Sequence, residues 1–136
     1  MGKTPRISES EWEVMKVLWE QSPLTANAIV QILSKKTPWH RETIRTLIHR
    51  LVQKGAVAYK KEGRQHQYYP CVGEAECTRA EARSFLRRVR VSAIEPMLAA
   101  FVEEHRLSEE QITRLKQILD GQDLGDKEGR AKRHTP

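Results

Sequence analysis

The stretch Trp39-His40-Arg41-Glu42-Thr43-Ile44-Arg45-Thr46-Leu47-Ile48-His49-Arg50-Leu51 decides how the chain folds. Its apolar residues recur at the spacing of one helix face, which predicts an amphipathic helix. They are Ile44, Leu47, Ile48, Leu51 and, just beyond the stretch, Val52. The opposite face is short of carboxylates and rich in groups that hydrogen-bond bases and phosphates. This combination is typical of a DNA recognition helix, although a solvated surface helix carries similar charges.

The positive charge of the chain is concentrated around this helix. The whole sequence has 24 Lys and Arg against 18 Asp and Glu, a net charge of +6. Residues 35–64 alone hold nine basic residues and two acids, a net charge of +7. Such a patch indicates a polyanion as the partner.

Two helices are predicted before the recognition helix. Ser8 and Glu11 form a capping box for a helix that runs from about residue 9 to Glu20. Thr25 is placed to cap a second helix, which ends before the basic break at residues 35–38. The third helix is expected to begin near His40 and end at Lys54, because a glycine follows directly.

Two strand-like runs, residues 56–61 and 65–70, flank a turn that contains Gly63 and predict a hairpin. Three helices followed by a basic hairpin form a winged helix-turn-helix, so the fold is expected to be mainly α with a small β-hairpin wing. The third helix would enter the major groove of double-stranded DNA while the wing binds phosphates. The candidate base contacts are Thr43, Arg45, Thr46 and, more weakly, His49, and the candidate phosphate contacts are Arg41, Arg50, Lys60, Lys61 and Arg64.

Residues 73–120 predict three further short helices with wide apolar stripes. Ser92 with Glu95 and Ser108 with Gln111 look like capping boxes, and Gly121 is expected to end the last helix. So small a region cannot make much of a core by itself. We therefore expect it to pair with a second copy, since a two-fold dimer matches a palindromic operator. The alternative is that these helices fold back onto the winged helix.

The sequence thus predicts a DNA-binding domain at residues 1–72, a helical dimerisation region at 73–120 and a disordered tail at 121–136. The candidate dimerisation residues are Phe85, Leu86, Val89, Ile94, Met97, Leu98, Phe101, Val102, Ile112, Leu115, Ile118 and Leu119.

Other classes of function fit the residues poorly. No motif resembles a phosphate loop, a zinc helix or a nucleophile elbow, so we expect neither an enzyme nor a cofactor. No apolar run approaches the ~20 residues that cross a bilayer, and no signal peptide is evident, which favours a cytoplasmic protein without membrane insertion. Cys71 and Cys77 are too few for a disulfide framework. A winged helix that binds proteins remains an alternative.

Three groups of residues resemble the penicillinase repressor family. They are Ile7-Ser8-x-x-Glu11-Trp12-Glu13-Val14-Met15, Trp39-x-x-x-Thr43-Ile44-Arg45-Thr46-Leu47-Ile48-x-Arg50-Leu51, and Lys54-Gly55 with Gln67-Tyr68-Tyr69. The resemblance covers about residues 7–120 and implies a bacterial homodimeric winged-helix repressor. It also implies that each subunit reads half of a palindrome resembling TACA…TGTA. Thr43, Arg45 and Thr46 match the family's recognition positions, whereas Glu42 departs from a frequent lysine.

The resemblance suggests two ways of releasing such a repressor. In the β-lactam branch, a membrane sensor-protease leads to cleavage between Asn and Phe, and here the corresponding bond joins Ala100 and Phe101. Phe101 also lies on an apolar stripe, so a purely structural role explains it equally well. The copper branch uses C-terminal cysteine pairs, but no cysteine follows Cys77. A metal or redox site formed by Cys71, Cys77 and His66 is kept as an alternative.

Overall fold

The computed structural model of the chain describes residues 4–133. Three helices and a two-stranded hairpin come first, which confirms the predicted order. Further helices follow the hairpin. The bounds are α1 Glu9–Glu20, α2 Ala26–Lys36, α3 Arg41–Lys54, β1 Val57–Glu62, β2 Gln65–Pro70, α4 Glu74–Arg88, α5 Ile94–Glu104 and α6 Glu109–Arg133. No helix in this range has both the length and the apolar character needed to span a membrane.

Side-chain caps fix where α1 and α2 begin. The Ser8 hydroxyl accepts a hydrogen bond from the Glu11 N–H at 3.1 Å, and the Ser8 N–H donates to the Glu11 carboxylate at 2.9 Å. This reciprocal pair confirms the predicted capping box. The Thr25 hydroxyl accepts from the Ala28 N–H at 3.1 Å and so caps α2, as the sequence predicted.

The third helix buries its apolar stripe and is closed at both ends. His40 caps the N-terminus, where its Nδ1 accepts from the Glu42 N–H at 3.2 Å. Gly55 follows the last turn with a φ of +81°, a left-handed conformation that suits glycine and confirms the predicted helix end. Four stripe residues are buried and a fifth, Val52, is half-buried; the buried ones are Ile44, Leu47, Ile48 and Leu51.

The hydrophobic core lies among α1, α2, α3 and β1. Its largest fully buried side chains include Met15, Leu18, Ile29, Leu33, Ile44 and Leu51. Trp12 and Trp19 are half-buried and meet edge to face with ring centroids 5.6 Å apart. The Trp19 indole N–H donates to the Val72 carbonyl at 2.9 Å, so this aromatic pair also holds the segment that follows the hairpin.

The hairpin forms the wing. Its strands pair antiparallel, with Val57 opposite Pro70 at one end and Glu62 opposite Gln65 at the other. Gly63 occupies the turn with a φ of +63°, which matches the first position of the tight turns that favour hairpins.

A short bridge attaches the wing to the chain segment before α2. The Leu24 N–H donates to the Tyr68 carbonyl at 3.0 Å, and the Tyr68 N–H donates to the Leu24 carbonyl at 2.7 Å. The sequence did not predict this contact, because it joins residues 44 positions apart through the backbone alone. It ties the middle of β2 to the start of the helix-turn-helix.

The chain divides into two compact units between Arg88 and Val89. The first unit includes α4, which the sequence grouped with the dimerisation region from residue 73. In the structure, Cys77 of α4 is 2% exposed within the core of the first unit, and Thr4 donates to the Glu76 carboxylate at 3.0 Å. The functions assigned to the two predicted domains remain predictions.

One predicted cap and one predicted helix end in the second unit are wrong. Ser92 does not cap α5, because it lies inside a 3-10 turn at Val91–Ala93, and α5 begins without a side-chain cap. The helix α6 continues to Arg133, past its predicted end at Gly121 and through most of the predicted tail. A glycine inside a helix costs only about 1 kcal/mol relative to alanine, which is too little to stop a helix by itself. Residues 134–136 lie outside the described residues.

The last predicted cap is present. The Ser108 N–H donates to the Gln111 side-chain oxygen at 2.9 Å, and the Ser108 hydroxyl accepts from the Gln111 N–H at 3.1 Å. This capping box fixes where α6 begins after the short connection from α5.

Candidate nucleic-acid interface

The polar face of α3 points to solvent, opposite the buried stripe. Five of the candidate residues on this helix are exposed, namely Arg41, Thr43, Thr46, His49 and Arg50. Arg45 is half-buried because it leans against α2. The structure therefore presents the predicted residues on one accessible helix surface, as insertion into a DNA groove requires.

The Thr46 hydroxyl is already committed as a donor. Its Oγ1 donates to the Glu42 carbonyl at 2.9 Å, one turn earlier in the same helix. The oxygen keeps its acceptor lone pairs, and the residue as a whole is exposed. Thr46 is therefore suited to accept from a base amino group or to contact a thymine methyl, but not to donate.

Arg45 makes a contact that the sequence did not reveal. One terminal nitrogen of its guanidinium, Nη2, donates to the side-chain oxygen of Asn27, which lies in the first turn of α2. A cleft of about 210 Å³ opens beside this pair, between the helix-turn-helix and the wing. Its lining is Thr25, Ala26, Asn27, Arg45, Arg64, Gln65, His66 and Tyr68. Arg45 and Arg64, predicted on separate elements, thus line the same cleft.

Aromatic side chains support the wing beside this cleft. The rings of Tyr59 and His66 stack with centroids 4.2 Å apart and planes inclined by 14°. Tyr68 lies at 5.6 Å from Tyr59 on the facing strand. These residues share a second cleft of about 290 Å³ with Arg45 and His49. Sequence reasoning missed the cluster, although the pairing of Tyr59 with Tyr68 follows from the hairpin register.

The wing carries its predicted charges at its tip. Lys60, Lys61 and Arg64 are exposed, and none of them forms an ion pair with a carboxylate among residues 4–121. Exposed cations without such partners are available to phosphate oxygens.

Lys54 belongs to the basic stretch of the sequence, but its ammonium group is already paired within the fold. Its ammonium group donates to the Glu11 carboxylate and to the Arg6 carbonyl, which tie the end of α3 to the start of α1. Glu11 is 2% exposed. Burial raises the pKa of Glu11, but hydrogen bonds from Lys54 and Ser8 outweigh it and hold the pKa below its usual value.

The cysteine-based alternative finds little support in the geometry. Cys71 is exposed, whereas Cys77 is buried in the core. Burial, together with the charge of Glu76, raises the pKa of the Cys77 thiol and so disfavours the thiolate that a soft metal needs. His66 stacks on the wing tyrosine instead. Over the described part of the chain, no three His, Cys, Asp or Glu side chains are grouped as a metal site requires.

The chain is similar to proteins of known function. A model of the penicillinase repressor family matches residues 7–121. The penicillinase repressor of Bacillus licheniformis is 40% identical over 120 residues, which are 88% of this chain and 94% of that protein. The methicillin resistance regulatory protein MecI of Staphylococcus aureus (strain N315) is 36% identical over 119 residues, 88% of this chain and 97% of that protein.

A solved structure with DNA is also similar. It is the solution structure of Bacillus licheniformis BlaI, in its monomeric form, in complex with the blaP half-operator. The two chains are 43% identical, with a TM-score of 0.50, and the match covers 56% of this chain and 93% of that one. The chain therefore belongs to the penicillinase repressor family.

Proposed function

We propose that this chain is a transcriptional repressor that binds a palindromic operator as a homodimer and occludes a promoter. The observation that carries the proposal is the accessible polar face of α3, bordered by a wing whose tip cations have no carboxylate partner among residues 4–121. The similar BlaI chain was solved on a half-operator, which supports DNA as the partner here. Because bacterial operators lie in the cytoplasm, the proposal places the protein there.

Within this interface, we assign two kinds of contact. Thr43, Arg45 and Thr46 read bases from the major groove, with His49 at the margin, since they lie on the polar face of α3. Phosphate contacts come from the exposed cations of the helix and the wing, which are Arg41, Arg50, Lys60, Lys61 and Arg64. Glu42 is exposed near the start of the same helix and would repel phosphate or accept from cytosine, so it bears on base preference.

Exposed apolar side chains at the end of the first unit and in the second unit support the dimer. Nine candidate dimerisation side chains are between 39% and 65% exposed, a large amount of apolar surface for one short segment. They are Leu86 at the end of the first unit and, beyond it, Ile94, Met97, Leu98, Phe101, Val102, Ile112, Ile118 and Leu119. Phe85, Val89 and Leu115 are half-buried. A second copy would cover this surface and place two recognition helices on a palindrome.

Oligomeric state tests the dimer directly. Ile118 is 65% exposed, so Ile118→Glu removes apolar contact area from an interface without disturbing a core. We expect the variant to sediment as a monomer at micromolar concentrations at which the wild type is a dimer. Gln117→Glu, which adds the same charge at the neighbouring exposed position, is the control and should remain dimeric. A wild type that is monomeric at these concentrations and still binds the palindrome would contradict the proposal.

For release, we propose cleavage between Ala100 and Phe101 by a system that includes a membrane sensor-protease. Both residues are exposed on α5, and the Phe101 ring stacks on His105 with centroids 4.5 Å apart. Cleavage in a helix needs local opening, and α5 has no buried residue within one chain, so the opening becomes easier once the dimer that covers Phe101 separates. Immunoblots of cells exposed to a β-lactam would show a shortened chain. Induction with only full-length repressor present would exclude this route.

DNA binding is tested by titration of the full chain. The duplexes are a TACA…TGTA palindrome and a scrambled control, each at two salt concentrations. We expect selective, salt-dependent binding of two subunits per palindrome. Binding to neither duplex would overturn the repressor function and leave a protein-binding winged helix as the better interpretation.

A further inference from the structure

The contact between Asn27 and Arg45 joins two elements at the cleft of the interface. Asn27 is exposed on α2, and its side-chain oxygen accepts from Nη2 of Arg45 on α3. Both side chains line the cleft of about 210 Å³ that faces the wing. An asparagine in the first turn of α2 therefore determines where the guanidinium of a candidate base-reading residue lies.

The donors and acceptors of this pair assign a role to each member. An arginine has five N–H donors, and the bond to Asn27 uses one of them. Arg45 thus keeps enough donors for a two-bond contact with guanine. Asparagine reads adenine by accepting with its oxygen and donating with its nitrogen along one base edge. The oxygen of Asn27 accepts from Arg45 with one of its two lone pairs, so the amide is oriented by the guanidinium rather than by a base edge.

The bond to Asn27 fixes the position of the Arg45 guanidinium. A long arginine side chain loses rotamer freedom when it binds, and this loss opposes complex formation. Holding the guanidinium before binding removes part of that loss. Arg64 and Gln65 of the wing line the same cleft as the pair, so the guanidinium is held beside the wing.

We propose that Asn27 is a positioning residue that orients Arg45 for sequence-selective DNA binding. The inference deepens the proposed function and rests on it. Asn27 contributes to selectivity through Arg45 and makes no base contact of its own. Its effect therefore disappears when Arg45 is absent.

A double-mutant cycle tests this dependence in the full chain. The variants are Asn27→Ala, Arg45→Ala and the double variant, each titrated against the TACA…TGTA palindrome and the scrambled duplex. The selectivity ratio is the affinity for the palindrome divided by the affinity for the scrambled duplex. We expect Asn27→Ala to lower this ratio about threefold to tenfold. Binding to the scrambled duplex should change less than about twofold, and Asn27→Ala should have no further effect when Arg45 is already alanine.

Three outcomes would overturn the proposal. If the losses of selectivity in the two single variants multiply in the double variant, Asn27 acts independently of Arg45. An equal loss on both duplexes would make Asn27 a phosphate contact. Tighter binding by Asn27→Ala would show that the bond holds Arg45 away from DNA. Gln31→Ala, at an exposed position one turn further along α2, is the matched control and should leave the ratio unchanged.

A second measurement needs no DNA and so separates this inference from the proposed function. The order parameter of the Arg45 side-chain Nε–H, from nitrogen-15 relaxation, reports directly on how firmly the guanidinium is held. We expect it to fall in Asn27→Ala and to stay near the wild-type value in Asn27→Asp, which keeps an acceptor oxygen. An unchanged order parameter in Asn27→Ala would refute positioning, whether or not the wild type selects the palindrome.

Discussion

Replacing Glu11 by glutamine is expected to destabilise the first unit by removing the buried carboxylate charge that pairs with Lys54. Glu11 is 2% exposed and accepts hydrogen bonds from the Lys54 ammonium group and the Ser8 N–H. Glutamine keeps the size of the side chain and an acceptor oxygen for Ser8. It removes the negative charge that faces Lys54, so the connection between α1 and the end of α3 is weakened.

The structure sets the size of this effect. A hydrogen bond to a charged group contributes roughly 1.5–3 kcal/mol. The Lys54 side chain is still 34% exposed, so water screens the pair and the lower end of that range applies. We expect Glu11→Gln to lower the free energy of unfolding by about 1.5 kcal/mol at pH 7. Glu13, whose pairing with Lys16 is exposed, provides the control; Glu13→Gln should change stability by less than about 0.5 kcal/mol.

The same pair predicts a dependence on pH. The pKa of Glu11 is lower in the folded chain than its usual value of 4.5. A carboxyl group with a lowered pKa stabilises the fold above its unfolded pKa, and this contribution is lost as the pH falls through the folded pKa. The stability difference between wild type and Glu11→Gln should therefore be complete at pH 7 and shrink progressively below pH 4.5.

Urea unfolding followed by tryptophan fluorescence measures this difference. All three tryptophans of the chain, Trp12, Trp19 and Trp39, lie in the first unit, so the signal reports its unfolding. Equal stabilities of wild type and Glu11→Gln at pH 7 would refute the reasoning. So would a difference that stays constant down to pH 3.5.

Three further predictions concern the interface and the end of its helix. Arg45→Ala should weaken palindrome binding by roughly 1–3 kcal/mol and relax base choice; equal weakening on random DNA would make Arg45 a phosphate contact. Lys61→Ala should weaken binding to both duplexes alike and reduce the slope of log binding constant against log salt concentration by about one unit. An unchanged slope would show that Lys61 does not contact DNA. Gly55→Ala should lower the free energy of unfolding in urea by roughly 1–2 kcal/mol, because alanine is strained at a φ of +81°. No atom lies within 4 Å of the added Cβ, so this backbone strain is the whole of the expected cost. Gly73→Ala, without a positive φ, is its control and should be near neutral.

Local patterns in the sequence predicted the first three helices and the wing because each depends on neighbours a few residues away. The stripe of α3, the Ser8 cap and the Gly55 helix end are determined by spacing and by backbone preference. The same reasoning failed at Ser92 and Gly121. A cap motif does not form when the backbone takes a 3-10 turn, and a glycine ends a helix where its φ is positive, as at Gly55 but not at Gly121.

The candidate site was less predictable wherever it depends on pairs that are distant in sequence. Asn27 and Arg45 are 18 positions apart, and Glu11 and Lys54 are 43 apart. Lys54 is one of the nine basic residues of the stretch 35–64, but its side chain reaches the start of α1. Side-chain direction at such positions is set by tertiary packing, which spacing along one helix does not encode.

The bridge between Leu24 and Tyr68 divides the wing into a fixed base and a projecting tip. Its two backbone hydrogen bonds, at 3.0 Å and 2.7 Å, need no particular side chain. The turn from Lys61 to Arg64 lies beyond this attachment. In the proposed interface, changes in the length or charge of the turn can therefore alter the affinity for DNA without moving α3. This loop can thus vary in length and charge while the polar face of α3 stays in place.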